Sequence, residues 1–288
     1  MPLFLRALPL SIGTLWHYVF LFPLVVIVSI PFLLLTIIPI LGLPVAMTIA
    51  TFLSFAGYRC ALAANGQGNE PSFGKLMKAS FVFGLINLLG SMALFALSYG
   101  IGLGLERLGI GQNVTVPEGM EIPYATGLAG VIYLVLSSLF FCAVAVPMTA
   151  AAHAATSKGR DPGPLYGFGT GLFSLAVCWA LWMVGLIYLG FLASIGEAMA
   201  YGIHVLISST FGVTVDLDYE MAWATLAISV LYLLWGTCWF AATAVLAWDR
   251  KRTRAAEAKV EDVAIPRVSV DELRALREAR MPGRPDQS

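Results

Sequence analysis

Long stretches without a single charge constrain this chain more than any motif in it. No Asp, Glu, Lys or Arg occurs between Arg6 and Arg59, between Lys78 and Glu106, between Glu121 and Lys158, between Asp161 and Glu197, or between Glu220 and Asp249. A helix rises 1.5 Å per residue, so about 20 apolar residues cross the hydrocarbon core of a bilayer. One charge at a helix centre costs about 2.5–3.5 kcal/mol, and these runs carry none. Only 12% of the 288 residues are charged, roughly half the share in soluble domains. The sequence therefore predicts an all-α integral membrane protein of six transmembrane helices, at 16–39, 43–63, 80–105, 124–151, 166–195 and 221–248. The first charge-free run is too long for the roughly 7–15-residue apolar core of a cleaved signal. It reads as a retained hairpin, turning through Pro39-Ile40-Leu41-Gly42-Leu43-Pro44.

The charges between the runs set an orientation. One group of loops carries Arg6, then Arg59, Lys75 and Lys78, then Lys158 and Arg160, then Arg250, Lys251, Arg252 and Arg254. The other carries Glu106, Glu118 and Glu121, then Glu197, Asp216, Asp218 and Glu220, with Arg107 its only basic residue. Basic residues flanking spans are retained on the cytoplasmic side, which places both termini in the cytoplasm, as in a bacterial inner membrane. Residues 1–248 form the membrane domain, and 249–288 a short cytoplasmic tail. The uncharged stretch 198–215 competes as a seventh span. Crossing there would export the basic cluster after Trp248, so an interfacial or re-entrant outer segment is the preferred expectation. Asn113-Val114-Thr115 is a glycosylation sequon on the outer side of this topology.

Two inner loops share a pattern. Residues 61–71 (ALAANGQGNEP) align without gaps on 152–162 (AHAATSKGRDP), giving A-x-A-A-x-x-x-G-x-[DE]-P. Small residues let a helix end pack closely, glycine suits the left-handed residue that closes a helix, and proline blocks continuation. Gly68 and Gly159 are the expected helix terminators. Helix-end punctuation alone can produce the pattern; the preferred reading is a parallel hairpin repeat relating spans two and three to four and five. In this Ala-rich exit and Gly-x-x-Pro loop the chain resembles uncharacterised bacterial multi-span families, such as the membrane domain attached to some glycerophosphodiester phosphodiesterases. The resemblance covers the two loops and their flanking spans. It implies a membrane-domain role and supplies no catalytic residue.

Few groups suggest chemistry. Ionisable side chains inside a membrane usually mark function, and the runs contain almost none. Asn87, with Ser91 one turn on, is the clearest mid-span polar group, either lining a pathway or joining two helices by a hydrogen bond. His17 and His153 lie near the inner interface and His204 on the outer side. Without carboxylate or Cys partners at regular spacing they point to anchoring, not to a metal or haem. Cys60, Cys142, Cys178 and Cys238 form no CxxC pair and read as small apolar residues. Gly100-x-Gly102-x-Gly104 and Gly167-x-Gly169-x-Gly171 lack the strand-turn-helix context of a nucleotide loop, so close helix packing is expected of them. Pro23, Pro31 and Pro39 should kink the first span. No cofactor, metal or nucleic-acid site is expected.

Ten of the seventeen Lys and Arg lie beyond Trp248. The first cluster, Arg250-Lys251-Arg252, is a stop-transfer anchor able to meet anionic headgroups. Ser269-Val270-Asp271-Glu272 then makes a capping box before a short helix near 270–280. Its stripe of Val270, Leu273 and Leu276 is too small for a core and suits docking on a cytoplasmic or membrane partner. The functional expectation is a non-catalytic integral membrane component: a scaffold, assembly factor or accessory subunit. The alternative is a small transporter or channel for a neutral or apolar solute, using the kinked first span and Asn87.

Overall fold

The computed structural model describes residues 2–35, 37, 39–67, 72–108, 124–155, 163–212 and 217–264. Six helices account for nearly all of them: α1 (Leu3–Leu35), α2 (Pro39–Ala64), α3 (Phe73–Arg107), α4 (Tyr124–Ala154), α5 (Leu172–Phe211) and α6 (Leu217–Ala264). Each contains a stretch long and apolar enough to cross a membrane. The chain divides into two compact units, Met1–Trp248 and Asp249–Ser288. The first is an all-α, six-span membrane bundle.

Inside and outside of this bundle are built from different residues. Ala143, Ala145, Ala150 and Ala152 on α4 and Ala241, Ala242, Ala244 and Ala247 on α6 are buried. Phe173, Ile187, Leu206 and Phe211 of α5 are more than 60% exposed. Small residues let backbones approach where dispersion drives association, and large apolar ones face lipid. Water would not tolerate that outer surface.

The core is concentrated at one end of the bundle. It draws on 7–25 of α1, 76–83 of α3 and 175–178 of α5, together with 52–62 of α2, 142–155 at the end of α4, and 238–248 of α6. Odd helices contribute their beginnings, α2 and α4 their ends, and α6 the stretch up to the limit of the bundle at Trp248, so successive helices run antiparallel. Close contacts locate the same end. A Cβ on Gly13 would sit 3.5 Å from that of Ala64, and one on Gly171 would sit 2.8 Å from that of Ala247. The Ser72 amide donates to the Ala155 carbonyl at 3.3 Å. The Trp239 indole N–H donates to the Phe4 carbonyl at 2.7 Å, tying α6 to α1. On the windows that would lie in the bilayer, α2 is 61% buried and α6 56%, against 11% for α5. The first two are thus the central helices and α5 is peripheral. Towards the other end α5 and α6 interlock, Tyr232 lying over Gly185 and Trp182 over Gly236.

Several boundaries differ from those expected. Pro39 opens α2 instead of closing the first span, as suits a residue whose missing N–H is harmless in a first helical turn. Pro9, Pro23 and Pro31 all lie inside α1. The fifth helix starts at Leu172 and not at residue 166, because Gly167, Gly169 and Gly171 have φ of +85°, +71° and +70°. These glycines form consecutive turns over 163–171: Gly171 brings the turn against Ala247 of α6, whereas Gly169 has no neighbour within 4 Å and mediates no helix packing. Gly100 and Gly104 have no neighbour within 4 Å of a built Cβ, so they mediate none either. The stretch expected to be interfacial or re-entrant is helical to Phe211 as the direct continuation of α5. Ser208, Ser209 and Thr210 bond back to Val205 and Leu206, and the left-handed Gly212 closes the helix with its N–H on the Ser208 carbonyl. At 40 residues α5 is about 60 Å long, twice the hydrocarbon thickness.

The repeated loop pattern is described only in its first half. α2 ends in a left-handed Gly66, with Gly66 N–H on the Ala63 carbonyl and Gln67 N–H on that of Leu62, the two bonds of a Schellman cap. Gly66, not Gly68, therefore closes this helix. Gly68 and Gly159 lie outside the described residues, as do the sequon and the tail positions Val270, Leu273 and Leu276.

Candidate functional site

Three basic residues, Arg59 of α2 and Lys75 and Lys78 of α3, belong to the packed end of the bundle. α3 begins after Ser72, whose side chain does not cap the helix. Its first turns present Lys75 and Lys78, three residues apart and hence on one face. Opposite them α4 ends in Ala151, Ala154 and Ala155. Between the two helix ends lies a cavity of about 260 Å³, lined by both lysines, by Val82 and Phe83 one to two turns further along α3, and by the α4 alanines and Pro164. Alanines make the space: larger residues on α4 would fill it. No carboxylate is among the described residues lining it. From Lys75 to Val82 is seven residues, about 10 Å along the axis, so the cavity runs from cationic groups at its mouth to an apolar floor within the span.

Behind this floor lies a polar feature that the charge pattern does not reveal. Phe83 meets Phe55 of α2 with ring centroids 5.7 Å apart. Arg59 follows Phe55 by one helical turn and is only 7% exposed, beside the fully buried Tyr58. Counted along the sequence, Arg59 is a loop-side charge marking the inner end of a span. In the fold it sits five residues inside the end of α2 and within the bundle. An ionisable group so placed is a candidate for function by default. Its position before an Ala-Leu-Ala-Ala helix end, not a turn, was the available signal.

The other candidates are held apart. The Asn87 amide donates to the Thr51 hydroxyl at 3.5 Å, linking α3 to α2, and Ser91 is half-buried one turn later. His17 bonds to the Gly13 carbonyl at 2.8 Å, while the His153 ring lies 4.6 Å from that of Trp248, so each has its own partner. The four cysteines are all buried as free thiols, and the Cys178 sulfur lies 3.6 Å from the Thr243 hydroxyl oxygen. Among the described residues no cluster of three His, Cys, Asp or Glu is placed to hold a metal.

What the bundle interior can do is limited by where its hydroxyls point. Ser11, Thr14, Ser29, Thr51, Ser80, Ser98, Thr149 and Thr243 are all buried. Each donates to a carbonyl three or four residues back in its own helix. Their donor capacity is spent locally, which leaves little to offer a polar solute along the helix axes. Compared with known proteins, the chain matches no family model, no curated protein and no solved structure. Its role has to come from its own residues.

Proposed function

We propose that this protein is a non-catalytic integral component of a bacterial inner membrane, a scaffold, assembly factor or accessory subunit with both termini in the cytoplasm. The Ser and Thr hydroxyls of the interior carry this reading. Eight of them are buried and donate to their own helices, which leaves them no spare hydrogen for a polar solute. Asn87, the group a transporter would use, is engaged with Thr51. Orientation follows from the lysines and arginines, which along the sequence, Arg107 aside, flank the starts of odd spans and the ends of even ones. The tail then lies in the cytoplasm, where the segment with Val270, Leu273 and Leu276, expected from its sequence to be helical, can order on a partner protein.

Complementation of a strain lacking the gene tests the reading. A chain truncated before Val268 should insert normally, since six spans satisfy their own backbone bonds, yet fail to complement. Asn87→Leu should complement. If the truncated chain complements and Asn87→Leu does not, function lies in the bundle, and transport of a neutral or apolar solute replaces the scaffold reading.

A further inference from the structure

From the cavity between the start of α3 and the end of α4 we infer a binding site for one anionic phospholipid, with its phosphate at Lys75 and Lys78 and its glycerol and upper acyl carbons against Val82 and Phe83. Three features of the cavity point to this chemistry. Its charge is one-sided, two exposed lysines on one helical face with no carboxylate among the described lining residues. Its polarity is graded, from those ammonium groups to Val82, Phe83 and the α4 alanines over about 10 Å, the same order as a phospholipid's own phosphate, glycerol and hydrocarbon. Its volume of about 260 Å³ admits a headgroup but not a folded peptide.

The surroundings favour the same ligand. Val82 and Lys78 are exposed, so the cavity opens to the bundle surface, where a lipid can enter sideways from the bilayer. The first N–H groups of α3 meet no capping side chain from Ser72, and a helix start favours negative charge. Basic pockets between spans on the cytoplasmic side suit anionic headgroups. Lysine stems can lie along the apolar wall while the ammonium reaches the phosphate. A free phosphate ester shares the charged half of this chemistry but has no use for Val82 and Phe83. The inference concerns the bundle alone and does not rest on the tail acting as a docking segment.

Native mass spectrometry of the purified full chain, titrated with phosphatidylglycerol or phosphatidylcholine, reads the site directly and needs no activity. Phosphatidylglycerol should bind and be retained through delipidation, and phosphatidylcholine should not. Lys75→Gln with Lys78→Gln should weaken phosphatidylglycerol roughly thirtyfold, about a factor of five for each lysine near a headgroup. Lys75→Arg with Lys78→Arg should retain it. Ala154→Leu, which keeps both charges and fills the cavity, should also weaken it, and it carries the test if the glutamine pair does not fold. Unchanged affinity in the glutamine pair, or in a folded Ala154→Leu, overturns the site. Displacement of the lipid by millimolar inorganic phosphate would make it a phosphate site and overturn the lipid assignment.

Discussion

Gly169 and Gly171 occupy the same turn with nearly the same φ, +71° and +70°, but differ in what surrounds them. A Cβ on Gly169 meets nothing within 4 Å, whereas one on Gly171 would lie 2.8 Å from the Cβ of Ala247. Gly169→Ala should therefore cost only the left-handed backbone penalty, about 1–2 kcal/mol. Gly171→Ala should cost that and a further ~1–3 kcal/mol of overpacking against α6. Thermal unfolding in detergent should rank the two variants in this order, and Ala247→Gly should recover part of the Gly171→Ala loss but none of the Gly169→Ala loss. Equal losses would mean that the approach of α6 to this turn is wrong. Asn87→Leu, by contrast, should cost about 0.6 kcal/mol, the usual worth of an interhelical hydrogen bond in a membrane protein. A glycine triplet written G-x-G-x-G is the same string whether it lies within a helix or turns the chain. Only the neighbours and the sign of φ separate Gly100-Gly102-Gly104 in α3 from Gly167-Gly169-Gly171 before α5.

At the scale of elements, one turn repairs a defect in another helix. Pro147 lies fully buried inside α4 and has no N–H for the carbonyl four residues back, which is that of Ala143. The Gly169 amide donates to that carbonyl at 3.1 Å. The turn over 163–171 is thus pinned to α4 by the bond the proline gives up, as expected where no water can satisfy a freed carbonyl. Pro147→Ala returns a competing donor to Ala143, so hydrogen exchange across 163–171 should speed up. The net gain in stability should fall well short of the ~3 kcal/mol that separates alanine from proline in a helix interior. Unaltered exchange in that segment would show that the pinning bond does not hold the turn. The six helices were legible in the sequence because a charge-free run of spanning length admits one solution in lipid. Their ends were not. Capping by Gly66, the opening of α2 at Pro39 and the onset of α5 at Leu172 depend on backbone angles, and α5 continues over 198–211 because nothing there is strong enough to stop it. The site was half legible: Lys75 and Lys78 stand out as charges, but the cavity beneath them exists through alanines of another helix. Arg59 reads as a boundary marker until the packing of α2 carries it inside.

For the whole molecule, the packing and the charges agree on one axis. The buried core lies where odd helices start, where α2 and α4 end and where α6 reaches Trp248, and Lys75, Lys78 and Arg59 belong to that end. The other ends expose large apolar side chains such as Ile27, Leu97, Val131 and Ile187, and Glu106 of α3, Glu197 of α5, and Asp218 and Glu220 of α6 belong to those ends. Positive charge near span ends resists translocation, so the packed end should face the cytoplasm. Single cysteines tested with an impermeant maleimide on intact cells measure this directly. Cys60, Cys142, Cys178 and Cys238 are at most 4% exposed and should be replaceable by alanine or serine as a silent background. In that background Gln112→Cys and Thr214→Cys should be labelled before lysis. Gln67→Cys, Ser157→Cys and Gln287→Cys should be labelled only after it. The set discriminates because four of the five loops and the tail are each probed once and the five results must alternate. Labelling of Ser157→Cys alone before lysis would break the alternation and add or remove a span beside α4. Inversion of all five would keep six spans but place Lys75, Lys78 and the α3–α4 cavity at the outer leaflet, and the charge rule would have failed for this chain.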